Sequence, residues 1–118
     1  MSAEQENLSV IDACWLAYND ERIADAAILY ADDARLRHLT RDIDVSGREP
    51  IRELMTRTLA MFPDRRSDRI ASIASGDFVV TENHWEATST ESGDRLKLDM
   101  CYVFRLVDGK IAEQREYG

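Results

Sequence analysis

The sequence predicts an α+β domain, a cone in which a curved antiparallel sheet wraps three N-terminal helices. Two observations carry this. Apolar residues recur at three- and four-residue steps through the first half and change after Pro63 to alternation, the period of strands with one buried face. The alternation is clearest at Leu96, Leu98, Met100, Tyr102, Phe104 and Leu106, with charged Lys97, Asp99 and Arg105 between them. Asp108-Gly109 then marks a tight turn into Ile111 to Tyr117, because both residues tolerate the backbone angles that a twisted hairpin needs.

Taken in order, Glu4 to Tyr18 is an amphipathic helix with the stripe Leu8, Ile11, Trp15 and Tyr18, and Cys14 beside it. Asn19-Asp20 ends it. A second helix is expected from Arg22 to Tyr30, on the stripe Ile23, Ala26, Ala27 and Tyr30, interrupted by Asp32-Asp33. Ala34 to Leu39 reads as a short strand with Leu36 and His38 on one side and Arg35 and Arg37 on the other, leading into the polar stretch Thr40 to Asp44. Ser46-Gly47-Arg48-Glu49 resembles a capping box opening a third helix, where Pro50 is tolerated because a first-turn amide has no intrahelical partner. Ile51, Leu54, Met55, Thr58 and Phe62 form its inner face, and Pro63 closes it. Strands follow from Arg66 to Ser75 and from Phe78 to Ser89, joined by Gly76-Asp77, with a turn at Glu91-Ser92-Gly93-Asp94 before the final hairpin.

One domain accounts for 118 residues, and the chain is long enough for a core without metal or disulfide staples. A net charge of -8 excludes a surface built for nucleic acid or anionic membranes, since both need a positive field. The apolar runs are too short for a membrane span and Met1 to Asn7 is polar and acidic, so a cytoplasmic location is expected. Cys14 and Cys101 are expected as reduced thiols, and the two histidines and scattered carboxylates give no metal-binding spacing. No cofactor is called for. Helices on one face of a sheet force it to bend, and the bend leaves a hollow, open at one end, suited to an apolar small molecule.

Three groups of residues carry a family resemblance: Tyr30-Ala31-Asp32-Asp33-Ala34 after two helices, Ser46-Gly47-Arg48-Glu49 opening a third, and Phe104-Arg105-Leu106 followed by Asp108-Gly109-Lys110-Ile111-x-Glu113. From Leu8 to Tyr117 the chain resembles the nuclear-transport-factor-2-like (cystatin-like) superfamily, most nearly its ketosteroid-isomerase and SnoaL-like polyketide-cyclase branches. The resemblance implies a cone-shaped barrel with an apolar pocket, usually a homodimer, here through the sheet face. The superfamily spans isomerases, dehydratases, cyclases, epoxide hydrolases and non-enzymes, so the fold does not select the reaction.

In the isomerase branch a carboxylate base lies beneath the substrate and acidic donors meet the oxygen where charge develops. By that resemblance the phenolic-donor position falls on Cys14, the base position on His38 and the protonated-acid position on or near Tyr102, while the late acidic residue of the cyclase-like branch falls on Glu116. His38 as base, Tyr102 as donor and Glu116 as second acid or base form the candidate catalytic set. The candidate walls are Cys14, Trp15 and Tyr18 from the first helix, Met55 and Phe62 from the third, Val80 and His84 from the strand Phe78 to Ser89, and Met100, Phe104 and Gln114 from the hairpin.

Alternatives stand beside each. His38 could instead be satisfied by Asp42 or Asp44, and Tyr102 could be a plain core tyrosine. A two-residue turn sets Tyr102 opposite Arg115 with Glu116 pointing away, whereas a three-residue loop with a glycine bulge sets it opposite Gln114 with Glu116 on its side. Alignment turns Glu82 and His84 inward, while hydrophobicity buries Trp85 and leaves His84 on an outer, interface-forming face. Lys97 and Asp99 resemble a pair of the epoxide-hydrolase branch, but parity puts them opposite Tyr102, in a surface or interface salt bridge. The expected function is acid-base proton transfer on an apolar, oxygen-bearing substrate such as a polyketide, terpenoid or steroid-like compound. The competing readings are a ligand-binding or structural dimer, and an accessory subunit with an exposed patch around Trp85.

Overall fold

A computed structural model describes residues 2–118. The chain runs through α1 (Ala3–Asn19), α2 (Ile23–Ala27), β1 (Tyr30–His38), a 3-10 turn (Leu39–Arg41), β2 (Ile43–Ser46) and α3 (Arg48–Met61). Four strands then follow: β3 (Arg66–Ser75), β4 (Phe78–Thr88), β5 (Arg95–Val107) and β6 (Lys110–Tyr117). They complete one six-stranded sheet in the order β2-β1-β6-β5-β4-β3. The sheet is not wholly antiparallel as expected, because β1 runs parallel to β6. β2, α3 and three further strands lie between β1 and β6, and a connection of that length allows either direction.

The helices cover the concave face. Ile11, Cys14, Trp15 and Ala17 of α1 and Ile51 and Met55 of α3 are buried there, against Val79, Trp85, Met100, Tyr102, Phe104, Leu106 and Ile111 of the sheet. A capping box starts α1, with the Ser2 hydroxyl accepting from the Gln5 amide and the Gln5 side chain accepting from the Ser2 amide. At the far end of α1, Asn19 closes a two-way bond with the Ser67 backbone at 2.8 Å each way, pinning the helix to the start of β3.

Four local readings are corrected. α2 stops at Ala27, and Tyr30 opens β1 rather than closing a helix; its carbonyl accepts from the Arg48 guanidinium at 2.9 Å. Asp32-Asp33 lies within β1, where the register with β6 slips between Tyr30 and Arg35. The polar stretch Thr40 to Asp44 contains the start of β2, an exposed edge strand whose Asp44 pairs with Arg35. The capping box proposed at Ser46 does not form: Ser46 belongs to β2 and Gly47, at φ 101°, is the cap residue without a side-chain bond. Glycine is needed there because the backbone is left-handed and a Cβ would sit 3.3 Å from the Pro50 ring.

The final hairpin resolves the register question by a route neither alternative contained. Asp108-Gly109 does form a two-residue turn, with φ of 50° and 76°. A bulge follows at once, since Leu106 faces Ile111 but Arg105 faces Glu113, leaving Ala112 as the extra residue. Tyr102 therefore stands opposite Glu116, and Phe104 opposite Gln114, with both polar residues on the concave side.

Candidate functional site

Between helices and sheet lies a cavity of about 200 Å³. Its apolar wall is an aromatic cluster: the Trp15 ring meets Tyr102 edge-on at 4.7 Å and Tyr18 at 5.6 Å, and Phe62 meets Trp85 at 5.2 Å. Alternation explains why these side chains converge. Tyr102 and Phe104 share the concave face of β5, and a helical repeat brings Cys14, Trp15 and Tyr18 over them.

The polar groups enter from one side, on β1 and β6. Pairing in parallel sets His38 beside Glu116 and Leu36 beside Gln114. His38 is 4% exposed, and its Nε2 lies 3.1 Å from the Gly118 backbone oxygen. An oxygen of that kind only accepts, so Nε2 carries the proton and the Nδ1 lone pair is left for other work. Nδ1 faces Glu116 Oε1 at 3.8 Å, too far for a hydrogen bond. The other carboxylate oxygen is held by Gln114, whose Nε2 donates to Oε2 at 3.1 Å. Tyr30 in turn donates to Gln114 Oε1, which fixes the amide's orientation, and the Cys14 thiol lies 3.9 Å from the Tyr30 hydroxyl. Cys14, Tyr30, Gln114 and Glu116 thus form one chain, ending at an oxygen without a hydrogen-bond partner across from a nitrogen without one.

Burial sets the protonation states. It pushes the Glu116 carboxyl up to about 7, opposed by the Gln114 bond and the positive charge of Arg41. Burial likewise raises the Cys14 thiol to about 11, so it is a neutral donor to Tyr30. Tyr30 and Tyr102 are both held well above the ordinary phenol value, mainly by burial, and stay protonated. Glu116 can therefore gain or lose a proton near neutrality while the phenols around it cannot.

Of the residues singled out from the sequence, His38, Tyr102 and Glu116 border the cavity, as do Cys14, Trp15, Tyr18, Met55, Phe62, Met100, Phe104 and Gln114. Val80 and His84 do not. Hydrophobicity decides the face of β4: Val79, Thr81, Asn83, Trp85 and Ala87 are buried inward, so Val80 and His84 point to the convex side. Val80 pairs with Val103 and Ile73 there. His84 bonds Asp99 at 2.9 Å and Glu86 at 2.7 Å, and those bonds raise its pKa. Asp99 is therefore a surface partner of His84, and Trp85, 8% exposed, forms cavity wall rather than an open patch. Neither Asp42 nor Asp44 holds His38; the Gly118 oxygen does. Among the described residues no three His, Cys, Asp or Glu side chains are grouped to hold a metal, and no helix is long and apolar enough to cross a membrane.

The sequence reading missed nine members of the wall, among them Tyr30, Trp85 and Arg41. Tyr30 was assigned to a helix stripe, although Tyr30, Ala34, Leu36 and His38 keep even spacing. Trp85 was available from the alternation Val79, Thr81, Asn83, Trp85, Ala87. Arg41, in the 3-10 turn, had no signal beyond being a cation in a polar stretch.

The family model of the SnoaL-like domain matches residues 11–114. No curated protein matches the chain. Among solved structures, a protein of ketosteroid isomerase-like fold from Catenulispora acidiphila, in complex with trimethylamine, is 19% identical with a TM-score of 0.86, over 92% of this chain and 84% of that one. A cystatin-fold protein from Novosphingobium aromaticivorans is 20% identical with a TM-score of 0.86, over 95% and 97% of the two chains. An LEH-like epoxide hydrolase of M. tuberculosis is 20% identical with a TM-score of 0.86, over 98% and 84%. At such identities the likeness establishes the cone fold and leaves the chemistry to the side chains.

Proposed function

The chain belongs to the SnoaL-like domain family, and from that premise we propose that it binds an apolar, oxygen-bearing small molecule and moves a proton on it. The observation that carries the proposal is the uncommitted pair, His38 Nδ1 and Glu116 Oε1, facing each other in a largely apolar cavity where Cys14, Tyr30 and Gln114 are occupied with one another. Structural pairs in a core are normally fully hydrogen-bonded, and a titratable pair left open to a hollow is suited to acid-base work. A structural relative that holds trimethylamine also supports small-molecule binding.

For a ketone, the step is as follows. His38 Nδ1 takes a proton from the carbon next to the carbonyl, the C–H electron pair becomes the C=C bond of an enolate, and the carbonyl oxygen takes the charge. Tyr102 or protonated Glu116 donates a hydrogen bond to that oxygen; return of the proton to the same carbon restores the ketone with that hydrogen exchanged, and where a β,γ double bond conjugates with the enolate, return to the γ-carbon gives the α,β-unsaturated isomer. A second reading, binding without turnover, is favoured by Cys14, whose thiol lies against Tyr30 where a phenolic donor would serve the substrate. Deuterium exchange into 2-tetralone, followed by proton NMR in D2O, separates the two without knowledge of the natural substrate. The protein should accelerate exchange at the α-carbon, with about a hundredfold or greater loss in His38→Gln. Exchange at the buffer rate despite demonstrated binding supports the second reading, and full activity in His38→Gln removes that residue as base.

A further inference from the structure

The cavity has one charged side chain at its solvent edge that nothing in the fold engages. Arg41 closes the 3-10 turn between β1 and β2, is exposed, and borders the cavity. Asp42 and Asp44 follow it in sequence, yet Asp44 is bound to Arg35 through two bonds of 3.0 and 2.7 Å. Among the described residues no carboxylate lies within ion-pair distance of Arg41 and no acceptor takes a hydrogen bond from it. Most other arginines of this acidic chain are ion-paired, as Arg37 is with Glu113, Arg48 with Asp32, Arg69 with Asp12 and Arg95 with Glu86, and the others without an ion pair among the described residues, Arg52, Arg57 and Arg65, do not border the cavity. A lone exposed arginine is ordinarily just solvated. This one differs in its position, where it shares a wall with Glu116 and lowers that carboxyl's pKa.

We propose that Arg41 selects the ligand by charge, so that the molecule taken up is apolar in its body and carries a carboxylate, or an equally acidic group, at the end that stays at the mouth. The proposal rests on the reading of the cavity as a small-molecule site. The body would lie against Trp15, Tyr18 and Phe104, which offer no charge, and the acid would meet the guanidinium fork at the rim, where a planar two-point contact is available. Among the described residues no other arginine or lysine borders the cavity, so discrimination between an acid and its neutral counterpart depends on this residue.

The test compares 2-naphthoate with 2-acetonaphthone, a neutral molecule of nearly the same shape, by titration calorimetry at low ionic strength on the native protein and on Arg41→Gln. The native protein should bind naphthoate more tightly than acetonaphthone. Arg41→Gln should weaken naphthoate by about three- to tenfold, the range for a partly exposed charge-assisted contact, and leave acetonaphthone unchanged. Added salt should narrow the preference in the native protein and not in the variant. If the variant binds naphthoate as the native protein does, or loses both compounds equally, charge selection is overturned while the ligand site stands. If the native protein binds neither compound, the ligand site is overturned and the selection with it.

Discussion

Glu116 is the carboxyl of the proposed acid-base pair, and its environment has a measurable thermodynamic signature. Burial raises its carboxyl to about 7 from an ordinary 4.5, so the folded protein holds this proton more tightly than the unfolded chain. Stability is therefore undiminished below pH 4.5 and declines as pH rises from there to about 7, where ionisation in the fold becomes possible. Glu116→Gln keeps the shape and removes the titration. The variant should match the native protein near pH 4 and exceed it by up to about 3 kcal/mol at pH 8, read from denaturant melts at both values. Equal stability at pH 8 would mean that water reaches the carboxylate freely. His38 was legible as a candidate because even spacing with Leu36 put it on the inward face. Its partner was not legible, since the Gly118 oxygen reaches it only through the parallel pairing of β1 with β6, and no local pattern encodes that.

At the scale of elements, two of the strands that line the site were read with unequal success. β5 alternates between charged and apolar residues, so its inward face was plain. β4 has Glu82, His84 and Glu86 on one face and Thr81 and Asn83 on the other, and the polar residues blur the period. Burial resolves the ambiguity: Asn83 bonds Ser67 at 2.9 Å beneath α1, and Trp85 donates to the Tyr18 hydroxyl at 3.0 Å. Trp85→Ala should accordingly cost about 3–5 kcal/mol in unfolding free energy, whereas His84→Ala should stay within about 1 kcal/mol. The reverse order would restore the inward face to His84. The bulge at Ala112 was hidden for a different reason. Asp108-Gly109 predicts the turn, but an inserted residue three positions later leaves no trace in composition, although it alone brings Glu116 round to the cavity.

For the molecule as a whole, the cone was readable because its determinants are distributed: three helical stripes, one change of period and four turn signals all agree. Its convex face holds Ile73, Val80, Cys101 and Val103 in a strip, with Phe78 near its end and Arg105, Arg115 and Glu113 alongside. Ile73 is 66% exposed. We propose that a second copy covers this strip, burying its apolar centre within a charged rim. Sedimentation should then give a dimer that Ile73→Asp converts to monomer; a native monomer at high concentration would refute it. The proposed site joins an open hollow to a carboxyl that titrates near neutrality. The most direct measurement is a carbon-13 NMR titration of Glu116, assigned by its loss in Glu116→Gln, with the cavity empty and then filled by 2-acetonaphthone. The carboxyl should titrate at about 7 and move higher when the ligand excludes water. A value near 4.5 that the bound ligand leaves unmoved would contradict the account.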